Sequence, residues 1–293
     1  MHIKNKSGGI SVPLLTLLAA MLLPSTSHMV MAKTETELPV IQILGSDAEY
    51  KNIPGSLSVI TEKELARQQP ISAQDALKKV PGVNVVETDG YGFYPRIGIR
   101  GIGSTMSKKI LLLEDGAPIA LGPYTDPSSY YSPPIERMEK IEVLKGSGSL
   151  AYGPSTIGGV VNYITRDPSK LDGPRVKLSA GTASNKNILA EYGTRWDNHH
   201  ASISMLKKDG DGWRYTPFNL TDVVMKVGTR IGADHYVGIK YTNYDQSSKH
   251  TYLGLTEYEY QTNYKQNKAV NDQMFIKRES FDLTSISDLG SHT

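Results

Sequence analysis

From Arg175 onward apolar and polar residues alternate with a period of two. Val176, Leu178 and Ala180 interleave with Arg175, Lys177 and Ser179. The same beat returns at Ile188, Ala190 and Tyr192, and at Ala201, Ile203 and Met205. Val223, Met225 and Val227 carry it on, then Val237, Ile239 and Tyr241, and finally Phe281 and Leu283. Period-two segments of this length, separated by turn residues, predict six antiparallel strands. The turns at Asn185 and at Asp197-Asn198 are short and are expected at one rim; residues 245–278 are long and polar, as an outer loop would be. A membrane barrel gives this alternation, and so does a soluble sandwich. The pattern alone leaves both open.

Upstream the beat is different. Leu57 to Ile60 reads as a short strand, and Thr61-Glu62-Lys63-Glu64 is a capping box that starts a helix ending near Gln69. Ser72 with Asp75 repeats the N-cap device, and that helix ends at Val80, before Pro81-Gly82. Val83 to Val86, Ile110 to Leu113, Ile141 to Leu144 and Val160 to Thr165 are apolar runs of strand length. Glu114-Asp115-Gly116 makes a turn, Ile135 opens a short helical turn, and the glycines between 146 and 159 suit a closely packed loop. Short helices alternating with short strands over residues 50–168 predict a small α+β domain.

Residues 1–32 read as a secretory signal peptide. Lys4 and Lys6 precede an apolar run from Ile10 to Leu23, too short to span a bilayer, and Val30-Met31-Ala32 offers a small-residue cleavage site, with Ser27 as the alternative. Residues 33–49 are a polar linker around one apolar island: Leu38, Pro39, Val40, Ile41, Gln42, Ile43 and Leu44. Pro39 forbids helix and the β-branched residues favour extension. Such a peptide can add itself as a strand to another protein's sheet edge, or be an ordinary linker.

Composition narrows the function classes. The 293 residues carry a formal charge of +2, no cysteine, and 17 tyrosines against 4 phenylalanines. Near-neutral charge gives no support to nucleic-acid binding, and the lack of cysteine excludes disulfides and thiolate metal sites. KGSGSLAYG (145–153) and GIRGIG (98–103) both miss the spacing of nucleotide-binding loops. His199-His200 are adjacent and would face opposite ways on a strand, and no nucleophile–base set stands out. Neither an enzyme nor a cofactor or metal site is indicated.

Four blocks carry a resemblance: IPGSLSVITEKELARQQ (53–69), AQDALKKVPGVNV (73–85), IGIRG (97–101) with ILLLEDGAPI (110–119), and IERMEKIEVLKG…AYGPSTIGGVVNYITR (135–166). In this order they resemble the plug domain of TonB-dependent outer-membrane receptors, and PYTDPSSYYSPP (123–134) is most similar to the ferric dicitrate receptor group. The resemblance implies an α+β plug domain followed by antiparallel β-strands of an incomplete outer-membrane β-barrel. Its parts are a signal peptide (1–32), a TonB box and linker (33–49), a plug (50–168) and the first barrel strands (173–293). A closed barrel of this kind needs several hundred residues, so the chain reads as the N-terminal part of a receptor.

The implied function is non-enzymatic uptake of an iron chelate, ferric dicitrate or another siderophore, across the outer membrane of a Gram-negative cell by a monomer. TonB would supply the work through residues 38–44, with ExbB and ExbD acting indirectly. So short a leader before the box leaves no room for an extra signalling domain. Arg100 and Arg137 match the arginines expected to latch plug to barrel, with glutamate partners beyond Thr293. Substrate contact is expected from the loops 88–96 and 121–131, through Arg96, Tyr91, Tyr94, Tyr124 and Tyr130. The rival readings are a barrel without a plug, and a truncated fragment acting as a periplasmic plug-like binding module.

Overall fold

The computed structural model describes residues 54–287 apart from 104, 121–129, 168–169, 233–234 and 252. The signal peptide, residues 38–44 and Tyr124 therefore lie outside the described residues. Two sheets of opposite character organise what is described.

The first is a five-stranded sheet in the order β1 (Ser56–Ile60), β6 (Met138–Lys145), β7 (Gly159–Thr165), β4 (Ile110–Glu114) and β5 (Ala117–Pro118), with β4 and β7 parallel. β2 (Val83–Val85) and β3 (Ile97–Ile99) form a separate ribbon. Helix α1 (Glu62–Gln68) begins at the predicted capping box, with Thr61 N donating to Glu64 Oε2 at 2.8 Å and Glu64 N to Thr61 Oγ1 at 3.3 Å. Helix α2 (Ala73–Leu77) is capped by Ser72 and stops three residues short of Val80, because the chain tightens there: Val80 N bonds Leu77 O at 3.0 Å. The glycine loop is the short helical turn 147–152 between two close approaches. A Cβ on Gly55 would meet Lys145 O at 2.3 Å, and one on Gly159 would meet Leu144 O at 2.4 Å. Both are at positive φ, so only glycine fits.

The second sheet is a wall of six antiparallel strands in sequence order: β8 (Gly173–Ala180), β9 (Lys186–Trp196), β10 (His199–Gly210), β11 (Phe218–Ile231), β12 (His235–Lys249) and β13 (Gln273–Ser287). β8 and β13 are its edges. The Asn185 and Asp197-Asn198 turns prove to sit at opposite rims, since each antiparallel strand reverses direction. Asp211 N bonds Ala183 O at 2.8 Å at one rim, and Arg230 N bonds Asn198 O at 2.9 Å at the other. The expected loop 245–278 also shrinks. β12 continues to Lys249 and β13 starts at Gln273, because polar residues suit strands that rise beyond an apolar band. Between them lies a helix α3 (Glu257–Asn263), capped by Thr256 and Glu259.

The core runs through both sheets. Leu77, Ile97, Ile99, Ile141, Val143, Val161 and Tyr163 are fully buried and contiguous with Leu189, Leu206, Phe218, Leu220 and Tyr244 of the wall.

Candidate functional site: the interface between the α+β domain and the wall

The wall is inside out for a soluble sheet. Its exposed phase is apolar, with Val176, Leu178, Ile188, Val227, Ile239, Phe281 and Leu283 each more than half exposed. Its covered phase mixes polar with apolar: Glu191, His200, Lys208, Asp222, Lys240, Thr242, Gln246 and Ser248 are buried there beside Leu189, Leu206, Leu220 and Tyr244. Apolar-out, polar-in alternation is the pattern of a barrel in lipid and is unfavourable in water. The band also slants. Val176 and Leu178 on β8 stand level with Ala190 and Ile188 on β9, whereas Phe281 and Leu283 on β13 trace through register to the level of Tyr192 and Thr194. That is a drop of about 13 Å over strand spacings totalling about 24 Å, roughly 30° and close to the tilt of barrel strands. Among the described residues no helix is long and apolar enough to cross a membrane, so any crossing falls to these strands.

Against the polar phase sits a chain of buried ion pairs. Arg137 is the last residue of the short turn Ile135–Arg137. It grips Glu114 with two nitrogens, Nη1–Oε1 at 2.7 Å and Nη2–Oε2 at 3.2 Å, donates to Tyr131 Oη at 2.7 Å, and reaches Asp222 of β11 through Nε at 2.8 Å. Glu114, the last residue of β4, and Asp115, in the turn that follows, meet Lys240 of β12 at 3.2 and 2.8 Å. Lys226 of β11 donates to Thr165 Oγ1 at 2.5 Å and Arg166 O at 3.0 Å. Lys208 of β10 takes Glu136 at 2.8 Å, and Arg166 takes Glu191 of β9 at 2.8 Å. Burial alone would raise the Glu114 carboxyl, but Arg137 and Lys240 hold it well below its ordinary range. Asp115 follows the same logic: burial raises it, and Lys240 with Lys226 pulls it below.

The loop 88–96 is fastened from both sides. Asp89 accepts backbone N–H groups from Tyr91, Gly92 and Phe93 at 3.2, 2.8 and 2.8 Å. Gln74 of α2 donates to Gly92 O at 2.7 Å and accepts from Arg96 N at 3.3 Å. On the wall side the Tyr91 hydroxyl bonds the Thr216 carbonyl, and Tyr94 Oη lies 2.9 Å from Ser248 Oγ. Burial raises both phenols, each to about 12. Tyr91 and Tyr94, expected at a ligand surface, are thus buried in the interface, because each hydroxyl finds a partner in the wall that the loop sequence does not reveal. Arg96 is half-buried and Tyr130 exposed.

The two expected latch arginines part company. Arg137 is buried, and its Nε lies 2.8 Å from Asp222 of β11. Arg100 is exposed, at φ 57°, and pairs with no carboxylate among the described residues. Sequence reasoning missed Asp222, Lys208, Lys226 and Lys240. Their signal was present, since all four occupy the strand phase opposite the apolar residues. Among the described residues no cluster of histidines and carboxylates could hold a metal ion.

A domain bolted by buried charges to a wall with an apolar outer face is what a stopper in a membrane barrel requires. The sequence model of the TonB-dependent receptor plug domain matches residues 49–160. Over those residues the chain carries a TonB-dependent receptor plug domain. The plug is followed by six antiparallel strands that form an open sheet among the described residues. Over 174 residues the chain is 30% identical to the vitamin B12 transporter BtuB of Vibrio vulnificus, covering 59% of this chain and 28% of the relative. Over 158 residues it is 35% identical to the iron-regulated outer membrane virulence protein of Vibrio cholerae, covering 51% of this chain and 23% of that one. The ferric citrate transporter FecA in its unliganded form superposes with a TM-score of 0.72 at 22% identity, covering 84% of this chain and 39% of that one. The siderophore receptor PirA from Acinetobacter baumannii gives 0.58 at 19%, covering 82% and 38%. These structures share the fold. The chain spans between 23% and 39% of the length of these four proteins.

Proposed function

We propose that this chain is part of an outer-membrane receptor that takes up an iron chelate, ferric dicitrate or another siderophore, in a Gram-negative cell. The receptor works as a monomer, and TonB, energised by ExbB and ExbD, pulls on residues 38–44. The observation that carries the reading is the buried Arg137–Asp222 pair, which ties the plug to a wall whose outer face is apolar. Arg137 acts as the latch. Arg100, exposed in the plug, has no such support. Arg96, Tyr130 and Tyr124 are the residues that would meet the cargo; Arg96 is half-buried and Tyr130 exposed. An arginine suits the carboxylates of an anionic chelate.

The experiment is uptake of radiolabelled ferric dicitrate by whole cells of a strain lacking its own receptor. Arg96→Ala is expected to weaken binding at least tenfold; unchanged affinity would clear Arg96. Ile41→Pro removes a strand-forming amide and is expected to abolish uptake while binding persists. A corrinoid reading has the BtuB relative behind it, so cyanocobalamin belongs in the same assay. Uptake of cyanocobalamin with none of iron would replace the chelate reading.

A further inference from the structure

The aromatic residues of the wall do not all face the plug or the apolar band. Three connections share the rim opposite the Asp197-Asn198 turn: 181–185, 211–217 and 250–272. On β12 the last apolar residue of the outward phase is Tyr241, and Asn243, Asp245, Ser247 and Lys249 follow it. At the rise of a strand, Lys249 stands about 25 Å along the chain beyond Tyr241. Rings carried on the 211–217 and 250–272 connections are therefore too far out to be anchors at the membrane surface.

Such rings are there, and they are clustered. The Trp213 ring lies 6.0 Å from that of Tyr264, which lies 6.2 Å from that of Tyr260 on α3. The three residues are 52%, 47% and 60% exposed. Their loops are held in place: Arg214 donates through Nε and Nη2 to Gln266 O at 3.0 and 2.8 Å, and through Nη1 to Leu253 O at 3.0 Å. Lys265 lies over the Trp213 ring at 4.8 Å and the Tyr264 ring at 5.8 Å, which fixes both planes. Beside Arg214, Tyr215 is held at φ 55°, a left-handed conformation that persists where the surroundings enforce it. The rings, with Arg214, Leu255, Thr256 and Glu257, line an open concavity of about 540 Å³, within the size range of ligand sites.

The polar groups narrow the ligand. The Arg214 guanidinium is spent on carbonyl oxygens and is not free to take an anion's carboxylates. Thr256 Oγ1 and Glu259 are occupied by the α3 cap, and Lys268 pairs with Glu259 at 2.7 Å. Glu257 accepts from Gln261 at 2.7 Å through Oε1, which leaves Oε2 without a partner among the described residues. What is offered is flat ring surface, tyrosine hydroxyls and one accepting carboxylate oxygen. A sugar fits that set, since its ring has a C–H face to lie on an aromatic plane and hydroxyls at its edge to donate.

We propose that this cluster binds the sugar chain of the glycolipid around the receptor in the outer leaflet, with Trp213, Tyr260 and Tyr264 as the stacking platform and Glu257 as the acceptor. The proposal rests on the receptor reading above for which rim faces outward, the one with the longer connections. The height of the cluster selects the source. Strand ends that rise this far above the apolar band stand among the sugars of the surrounding lipid.

The chain has two tryptophans, so Trp196→Phe leaves Trp213 as the reporter. The detergent-solubilised receptor carrying that change is titrated with the delipidated oligosaccharide released from outer-membrane glycolipid by mild acid. Trp213 emission is expected to move to shorter wavelength and to saturate. Tyr260→Ala and Glu257→Gln should each weaken the response at least tenfold, whereas Tyr258→Ala, exposed on α3 outside the concavity, should leave it unchanged. No response to the released sugar would overturn the assignment, and so would an equal response to maltoheptaose, which would make the site a general saccharide platform. A response to intact glycolipid that survives Tyr260→Ala would also overturn it, by placing the lipid elsewhere. A response to ferric dicitrate alone would hand the cluster to the cargo. Fluorescence needs no uptake: wild-type cells that accumulate neither iron nor cyanocobalamin would defeat the proposed function and leave sugar binding standing. A silent Trp213 in a receptor that does take up iron would defeat the sugar site alone.

Discussion

Replacing Arg137 by methionine keeps much of its volume and removes its charge. The loss is set by what is left behind. Arg137, Glu114 and Asp222 are each no more than 2% exposed. Glu114 retains Lys240 at 3.2 Å, but Asp222 has Arg137 as its one counter-ion among the described residues, and its Oδ1 already lacks a hydrogen-bond partner. Breaking a buried pair by removing one partner costs about 3–5 kcal/mol, against about 0–1 kcal/mol for an exposed pair. Three kcal/mol multiplies the released plug population by roughly 150, since each 1.4 kcal/mol is about tenfold.

Pulse proteolysis of the detergent-solubilised receptor across a urea series measures that population, because cleavage follows the released plug. Asp222→Asn alone should cost less than Arg137→Met, since Arg137 then keeps the Glu114 carboxylate. The double variant Arg137→Met/Asp222→Asn should recover at least about 2 kcal/mol relative to the sum of the singles, the coupling expected of groups in one network. An Arg137→Met loss below 1 kcal/mol, or simple additivity of the two, would show that the pair does not hold the plug.

Two further outcomes follow from the same interface and from the outer face. The carboxyls of Glu114 and Asp115 titrate lower in the fold than their ordinary values of 4.5 and 3.8, so their contribution is complete above those values and drains away as pH falls through the folded ones. The share of the urea midpoint that these two carboxyls supply should thus be complete between about pH 7 and pH 5 and be lost below about pH 4, so that Glu114→Gln removes most of that acid limb. On the lipid side, Val227→Arg places a charge in the apolar band and should lower barrel stability in lipid vesicles by about 2–4 kcal/mol, whereas Lys277→Arg, above the band, should leave it unchanged.

Local chemistry was the legible part of this chain. The Thr61–Glu64 capping box and the Ser72 cap could be read from the sequence because their partners lie three residues away. The beat of six strands could be read because it needs no partner at all. The phase of that beat could not, since a sheet in water and a sheet in lipid share the alternation and differ only in which side is covered. Tyr91 and Tyr94 misled for a related reason. Their partners, Thr216 and Ser248, lie 125 and 154 residues away, and a tyrosine in a loop looks the same whether a ligand or a strand receives its hydroxyl. Arg137 was visible as a motif residue, but its aspartate partner sits mid-strand, without any local signature.

The choice of charges at this interface has a physical logic. On the proposed function the plug has to move, so it should be held firmly when seated and lose little once it parts. An apolar contact opposes separation in proportion to every square ångström exposed to water. A buried ion pair behaves otherwise, because much of its Coulomb attraction is spent on desolvating both partners, and water restores that solvation once they part. Seated, Arg137 between Glu114 and Asp222 cannot be swapped for another geometry without stranding a charge, so register is fixed. Parted, the lysines and carboxylates of the wall regain water, and the apolar cost of separation falls on Leu189, Leu206, Phe218, Leu220 and Tyr244. The phase that made the strands ambiguous in sequence therefore gives the plug a seat that excludes misplacement yet wets readily.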